Sequence, residues 1–133
     1  MTHEKRIEIR WRDVDAFLHV NNAVYATYLE ECRDEWMERT LASAGDPWDF
    51  VLARVAIDFR RELVQADDVV LVRVALERIG SSSITLREEI AKLDGTLSAE
   101  AEAVVVARDR ETGRSRPLTD DERAAFERAL ARH

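Results

Sequence analysis

The order in which hydrophobic patterns follow one another predicts a domain of the α+β class. A short pattern that alternates every second residue comes first and indicates a strand. A longer pattern with helical spacing follows, and four further strand patterns then succeed one another without another helix between them. Consecutive strands favour an antiparallel sheet, and one face of that sheet has to pack against the long helix.

The first strand is predicted over residues 5–12. Ile7, Ile9 and Trp11 alternate with charged residues there, so we expect these three side chains to face the core. The Asp-rich segment that follows is expected to be the loop that leaves the strand.

The long helix is predicted to begin near Asn22. Asn21 or Asn22 is a suitable N-cap, because a short side-chain oxygen accepts a hydrogen bond from the free N–H groups of the first turn. Residues 43–47 contain a glycine and a proline, which predict the loop that ends the helix. The apolar positions that recur on one side of the helix are Tyr25, Tyr28, Leu29, Cys32 and Trp36.

Four strands and a short helix are predicted in the second half of the chain. Asp94-Gly95 indicates a tight hairpin turn. Thr119 and Glu122 have the spacing of a capping box, which predicts a C-terminal helix that ends near Ala131. All of residues 1–133 are expected to form a single domain. The strands are predicted over 53–64, 69–79, 83–93 and 96–108.

Composition excludes several classes of protein. Hydrophobic residues make up 46% of the chain and charged residues 35%, which is typical of an ordered globular domain. The net charge of -7 argues against nucleic-acid or anionic-membrane binding. Cys32 is the only cysteine, so an intrachain disulfide or a thiolate metal cluster is excluded and a buried side chain is expected. Without a signal-like or membrane-spanning apolar segment, the protein is expected in the cytoplasm.

Residues 13–25 concentrate the groups that can carry chemistry. Asp13 and Asp15 would point the same way on an extended backbone, and their mutual repulsion would favour a proton on one of them. Such a carboxylate can act as a general base or a nucleophile. The alternative is that both residues form turns and caps, as Asp often does in loops.

His19 and the helix start add further candidate groups. His19 could orient water, donate to a leaving group or hold a carbonyl, although a single loop histidine is often structural or solvated. A metal site made by Asp13, Asp15 and His19 is another alternative. The free N–H groups at the start of the helix could hold a developing oxyanion. Together these groups favour acyl transfer.

This segment resembles a known family of enzymes. It reads Asp13-x-Asp15-Ala-Phe-x-His19-Val-Asn-Asn-Ala-Val-Tyr25, and Tyr28-Leu-Glu-Glu31 follows it. Together these two motifs are similar to the hotdog-fold acyl-CoA thioesterases of the 4-hydroxybenzoyl-CoA thioesterase type. The His-Val-Asn-Asn portion also resembles acyl-ACP thioesterases. Weaker similarity is present in residues 57–61 and 78–84, so the resemblance extends over nearly the whole chain.

The resemblance implies a hotdog fold, in which a five-stranded antiparallel sheet wraps around one long helix, with a short C-terminal helix. It identifies Asp15 as the catalytic carboxylate, acting as nucleophile or as base for water, and Asp13 as its structural support. His19 matches the histidine of the acyl-ACP thioesterases. The backbone N–H of Asn22 is expected to polarise the thioester carbonyl, and the Asn22 side chain and Tyr25 are expected to line the site.

Two positions depart from the family pattern. Phe17 stands where an asparagine usually lies, so an amide that holds water is lost there. Leu18 stands where many relatives have glycine, which is expected to alter the loop or narrow the acyl entrance. The expected substrate-binding residues are Phe17, Leu18, Tyr25, Arg60, Arg61, Ser82 and Ser83.

Arginines are the expected partners of the coenzyme A phosphates. Arg60, Arg61, Arg78 and Arg87 can make charge-assisted hydrogen bonds to phosphate, although exposed strand arginines are often only solvated. Trp11, Trp36 and Trp48 are expected in the core or at interfaces rather than as stacking platforms for adenine.

The expected function is hydrolysis of an acyl-CoA, or an acyl-ACP, to a free acid and a thiol. No cofactor or metal is expected, and the resemblance implies a homodimer or homotetramer with shared active sites. A non-catalytic module that binds an acyl-CoA or an acyl carrier is the main alternative. A hydratase acting on an enoyl thioester is a further one, although the hydratase pattern has Asp and His five apart with an Asn between them.

Overall fold

Five strands form a single antiparallel sheet in the computed structural model, which describes residues 2–131. The strand order across the sheet is β1-β3-β4-β5-β2, so the second strand in the sequence lies at an edge beside the fifth. The elements are β1 (Thr2–Glu8), α1 (Asn22–Leu41), β2 (Phe50–Phe59), β3 (Val69–Ile79), β4 (Ser83–Lys92), β5 (Leu97–Ala107) and α2 (Asp120–Ala131).

The predicted α+β architecture is confirmed, and so are most of the predicted elements. β3 has the predicted bounds, β4 ends one residue earlier than predicted, and β5 is one residue shorter at each end. Asn21 is the N-cap of α1, because its side chain accepts a hydrogen bond from the N–H of Ala23. The capping box is also present: Thr119 and Glu122 each accept from the other's backbone N–H.

The first strand is displaced from its prediction, and the expected burial of Trp11 is wrong. β1 ends at Glu8, and residues 11–13 form one turn of 3-10 helix. The N–H of Arg10 donates to the Asp13 carboxylate at 3.0 Å and so closes this turn. Ile7 and Ile9 are buried as predicted, but the turn takes Trp11 off the strand and leaves it 85% exposed.

The second strand is also displaced. β2 begins at Phe50, because the turn at residues 47–49 leads directly into it, and it ends at Phe59 rather than at residue 64. The N–H groups of Arg60 and Arg61 both donate to the carbonyl oxygen of Ser98, which bends the chain away from the sheet. The segment that follows β2 is therefore fixed against the start of β5.

The core lies between α1 and the inner face of the sheet. α1 packs against β1, β3 and β4, and it buries the predicted stripe that includes Tyr28, Leu29 and Cys32. α2 closes the other end of the core, where the Phe126 ring stacks on Trp36 at 6.1 Å and meets Phe50 edge-on at 5.8 Å. Removing this apolar surface from water is the main source of stability.

One ion pair is buried inside this core. Arg33 of α1 donates two hydrogen bonds to Glu88 of β4, at 2.8 and 2.9 Å. Both residues are at most 5% exposed. The two charges can be buried there because the pair of parallel hydrogen bonds provides each charged group with a partner and offsets its desolvation.

The edge strand β2 is exposed on both of its faces along most of its length. α1 leaves most of it uncovered, since the helix packs over β1, β3 and β4. Large apolar side chains are accessible to solvent along it, namely Val51, Leu52, Val55 and Phe59. Trp48, just before the strand, is 77% exposed, so it is not in the core of the single chain, and its predicted place at an interface stays a prediction. Among the helices of residues 2–131, none is long and apolar enough to cross a membrane.

Candidate active site

The Asp-rich segment folds into a small hairpin next to the start of α1. A β-bridge between Val14 and Val20 closes it. The N–H of Leu18 donates to the carbonyl of Asp15 at 3.0 Å, and the N–H of Asp15 donates to the carbonyl of His19 at 3.0 Å. This is the bond pattern of a short hairpin loop with a bulge, in which the residue after the turn adopts the left-handed conformation.

Leu18 occupies that left-handed position, with a φ of 67°. Glycine is the usual residue there, because a side chain is strained at positive φ. The loop geometry is therefore compatible with the glycine that the resemblance implies in relatives. In this chain the loop instead presents two adjacent apolar side chains to solvent, since Phe17 is 80% and Leu18 is 74% exposed.

The Asp15 carboxylate is oriented by two donors and remains accessible. One oxygen accepts from the N–H of Phe17 at 2.9 Å, and the other accepts from the side-chain amide of Asn21 at 3.4 Å. Each oxygen retains a lone pair for another partner. The carboxylate is therefore held in place without being neutralised by a cation.

Asp13 is in a different environment, which corrects the expectation that the two carboxylates point the same way. The 3-10 turn directs the Asp13 side chain into the protein, where it accepts from the Tyr28 hydroxyl at 2.6 Å and from Arg10. Burial alone would raise the pKa of Asp13, but the hydrogen bonds from Tyr28 and Arg10 outweigh it and lower that pKa. Asp13 is thus a buried anion that supports the loop.

The start of α1 lies beside this loop. The backbone N–H of Asn21 donates to the carbonyl of Asp13 at 2.9 Å, which joins the helix start to the turn. Within residues 2–131, the backbone N–H of Asn22 has no hydrogen-bond acceptor. This donor lies at the positive end of a 20-residue helix, so it can stabilise a negatively charged oxygen.

His19 contacts a residue that the sequence did not indicate. Its Nε2 contacts the carboxylate of Glu62, in the segment that follows β2. No sequence signal marks Glu62, because its place depends on the hydrogen bond from the N–H of Val20 to the carbonyl of Leu63. Tyr25 supports the same segment: its hydroxyl accepts from the N–H of Leu63 at 3.1 Å.

The predicted substrate-binding residues lie at two ends of the sheet. Arg60 and Arg61 follow β2 on the same side as the Asp15 loop, where Arg60 pairs with Glu100 at 3.2 Å. Ser82 and Ser83 lie at the opposite end, because β4 begins there and runs toward the site. Within a single chain, the structure therefore does not bring the two serines and Asp15 together.

Arg78 and Arg87, the other two arginines predicted to contact coenzyme A, are distant from the Asp15 loop or are directed elsewhere. Arg78 lies near the end of β3, at the same end as the serines, and donates to the Thr85 hydroxyl at 3.2 Å. Arg87 is exposed in the middle of β4. The predicted contacts of these residues with coenzyme A stay predictions.

The alternative of a metal site has no geometric support. No group of three His, Cys, Asp or Glu side chains suited to a metal ion is found in the part of the chain that the structure describes. Asp13 is bound to Tyr28 and is turned away from Asp15 and His19.

A cavity lies away from the Asp15 loop. It has a volume of about 550 Å³ and lies between the second half of α1 and the start of β2, where Asp34, Trp48 and Arg108 contribute to its lining. Asp34 is twelve residues beyond Asn22, which corresponds to about 18 Å along a helix. The chemistry of the residues, rather than cavity size, therefore identifies the candidate site.

Comparison with known proteins identifies the family of this chain. Residues 9–126 match the family model described as the thioesterase-like superfamily. The long-chain acyl-CoA thioesterase FadM of Escherichia coli (strain K12) is 27% identical over 133 aligned residues, which cover 96% of this chain and 98% of FadM. The uncharacterised protein YsmA of Bacillus subtilis (strain 168) is 26% identical over 119 residues, or 89% of this chain and 80% of YsmA.

A solved structure with a similar fold extends the comparison. A thioesterase from Thermus thermophilus, determined in complex with coenzyme A and Zn, superposes with a TM-score of 0.87. It is 29% identical, and the match covers 98% of this chain and 96% of that one. The predicted hotdog fold is confirmed by this match together with the observed sheet and helix order.

Proposed function

Because the chain belongs to the thioesterase-like superfamily and is a thioester hydrolase, we propose that it cleaves acyl-CoA at the Asp15 loop. The observation that carries this proposal is the position of the Asp15 carboxylate, oriented but accessible, beside the start of α1 with its free Asn22 N–H. FadM acts on long-chain acyl-CoA, and the Thermus thermophilus thioesterase binds coenzyme A, which supports an acyl-CoA substrate here.

The proposed reaction uses the two groups on opposite sides of the thioester carbonyl. The Asn22 N–H donates to the carbonyl oxygen and stabilises the negative charge that develops there. Asp15 then either attacks the carbonyl carbon or removes a proton from an attacking water. In either case the carbon–sulfur bond breaks and coenzyme A leaves as the thiolate, which takes a proton. With Asp15 as base, the oxygen of the attacking water ends in the free acid. With Asp15 as nucleophile, a mixed anhydride forms between Asp15 and the acyl group, and water then hydrolyses it to the free acid and regenerates the Asp15 carboxylate.

Substrate contacts are proposed from the positions of residues around this centre. Phe17 and Leu18 are proposed to contact the acyl chain, because their apolar side chains are exposed on the same turn as Asp15. Arg60 and Arg61 are proposed to bind the phosphates of coenzyme A, and their charge and their position at this end of the sheet support that role. Delivery of the acyl group by a carrier protein would use the same centre.

The test measures release of free thiol from a panel of acyl-CoA esters of different chain length and aromatic character. We expect hydrolysis by the native protein and a loss of about a hundredfold or more in kcat for Asp15→Asn, since the amide can neither attack nor accept a proton. Asp120→Asn, an exposed carboxylate in the first turn of α2, is the matched control and should retain full activity. A fully active Asp15→Asn enzyme would contradict the mechanism.

We also propose that two copies of the chain pair through β2. An edge strand with free backbone groups and exposed apolar side chains is a template for another strand. Two β2 edges would form one continuous sheet and would bring partner residues close to each Asp15 loop. Two such dimers could then form a tetramer.

Sedimentation tests the pairing directly. Val55→Lys places a charge on β2 and should shift the protein toward monomers with loss of turnover, whereas Leu93→Lys, at an exposed turn, should change neither. A native protein that is monomeric and fully active would refute a shared site.

A further inference from the structure

We infer that Glu62 is a positioning residue for the reaction, acting through its contact with His19; this inference rests on the proposed thioesterase function. The carboxylate of Glu62 contacts Nε2 of the imidazole. His19 is in turn part of the Asp15 hairpin, because its carbonyl accepts from the N–H of Asp15 at 3.0 Å. Glu62 is therefore connected to the proposed catalytic carboxylate through a single residue.

The backbone on both sides of Glu62 is held in place. On one side, the buried Ser98 hydroxyl donates to the carbonyl of Arg61 at 2.6 Å. On the other side, the N–H of Leu63 donates to the Tyr25 hydroxyl, and the carbonyl of Leu63 accepts from Val20 at 2.8 Å. Three hydrogen bonds from β5, α1 and the hairpin thus fix the segment that carries this carboxylate.

The contact determines which ring nitrogen is available to the reaction. In a neutral imidazole, one nitrogen carries the proton and the other accepts. A carboxylate at Nε2 favours the proton on that nitrogen and so leaves Nδ1 as the acceptor. With Glu62 in place, His19 therefore has one defined tautomer and one defined orientation in which to hold a water or the leaving thiol.

Stability does not account for this pair. The His19 and Glu62 side chains are 47% and 60% exposed, and ion pairs at such accessible sites contribute little to folding. Both residues also lie next to the groups assigned to the reaction, since Glu62 directly follows Arg60 and Arg61. A role in orientation explains why an exposed carboxylate is carried on a segment that is fixed by three hydrogen bonds.

The test is a double-mutant cycle on the intact protein, with kcat and KM measured separately for Glu62→Gln, His19→Ala and the double variant. We expect Glu62→Gln to lower kcat about three- to tenfold with KM changed less than about twofold, and to have no further effect in the His19→Ala protein. Glu62→Asp should recover part of the loss. Asp120→Asn removes an exposed carboxylate from the first turn of α2, away from His19, and should leave kcat unchanged.

Two results would overturn the inference: a Glu62→Gln enzyme with native kcat, or an equal loss of kcat with and without His19. Urea unfolding of each variant separates loss of function from loss of folding. If Asp15→Asn is inactive while Glu62→Gln is fully active, only the role of Glu62 is refuted. If the native protein hydrolyses no thioester, the proposed function fails and this inference fails with it.

Discussion

The hydroxyl of Tyr28 donates a 2.6 Å hydrogen bond to the carboxylate of Asp13, and this bond ties the second turn of α1 to the loop before the helix. Asp13 also accepts from Arg10 and, through its carbonyl, from the N–H of Asn21. Asp13, through its buried carboxylate and its backbone carbonyl, thus connects the end of the first strand region, the hairpin that carries Asp15 and the helix start. Its position sets the position of Asp15, two residues further on.

Tyr28→Phe should destabilise the protein by about 1–3 kcal/mol at pH 7, because it removes a donor from a buried charge. The pKa of Asp13 is lowered in the folded protein, so its ionised form contributes stability that is present at neutral pH and is lost as the pH falls. The destabilisation by Tyr28→Phe should therefore shrink in acid. Urea unfolding at pH 7 and at pH 3.5 measures this difference.

The control for that prediction is Tyr25→Phe. The Tyr25 hydroxyl accepts from a backbone N–H and does not contact a carboxylate. Its loss should cost a similar amount of stability at both pH values. An equal pH dependence for the two variants would show that Tyr28 does not act through the charge of Asp13.

Asn21 has two separable roles, as the cap of α1 and as a donor to Asp15. Asn21→Asp keeps a good N-cap but replaces the donor by a second carboxylate, so we expect native stability and a fall in kcat of several-fold to about tenfold. Asn21→Ala loses both roles and should also lower the free energy of unfolding by about 1 kcal/mol. Urea unfolding and thiol release measure the two effects, and native kcat in Asn21→Asp would exclude the orienting role.

Leu18→Gly should leave the stability unchanged or increase it by up to about 1 kcal/mol. Relief of the strain at positive φ, about 1–2 kcal/mol, is partly offset by the greater chain entropy of glycine in the unfolded state. Leu93→Gly is the matched control, since Leu93 is also an exposed leucine but does not have a positive φ, and it should be destabilising. Thermal unfolding of both variants tests the difference. A strongly destabilised Leu18→Gly protein would mean that the Leu18 side chain makes stabilising contacts.

The Arg33–Glu88 pair should behave as a unit. Arg33→Met leaves the Glu88 carboxylate buried without a partner and should cost about 3–5 kcal/mol. Adding Glu88→Leu should recover most of that loss, because apolar residues of similar volume suit the same place. Urea unfolding of the two single variants and the double variant gives the coupling energy. Additive losses would contradict the prediction.

Local signals made the fold predictable. The period of α1, the turn at Asp94-Gly95 and the capping box before α2 each specify structure from neighbouring residues, and each is confirmed. The errors arise where distant residues decide. Ser98 bends the chain at Arg60, more than thirty residues away in sequence, and so ends β2 early.

In the candidate site, too, the features set by neighbouring residues were predictable and those set by distant residues were not. The N-cap and the hairpin of Asp15 lie within one continuous segment, so sequence alone could group them. The separation of Asp13 from Asp15 could not be predicted, because it depends on a one-turn helix and on Tyr28. Glu62 was missed since only folding brings it to His19.

The strand order also has a consequence for how the chain matures during synthesis. The hairpin, α1 and β2 leave the ribosome before β5, which is the only described strand that pairs with β2. Until β5 arrives, β2 has no neighbour in the sheet and Arg61 has no Ser98 to hold it. A nascent chain that already contains every residue of the proposed site would therefore still lack a working one, and its uncovered β2 is the segment most exposed to aggregation or to a chaperone.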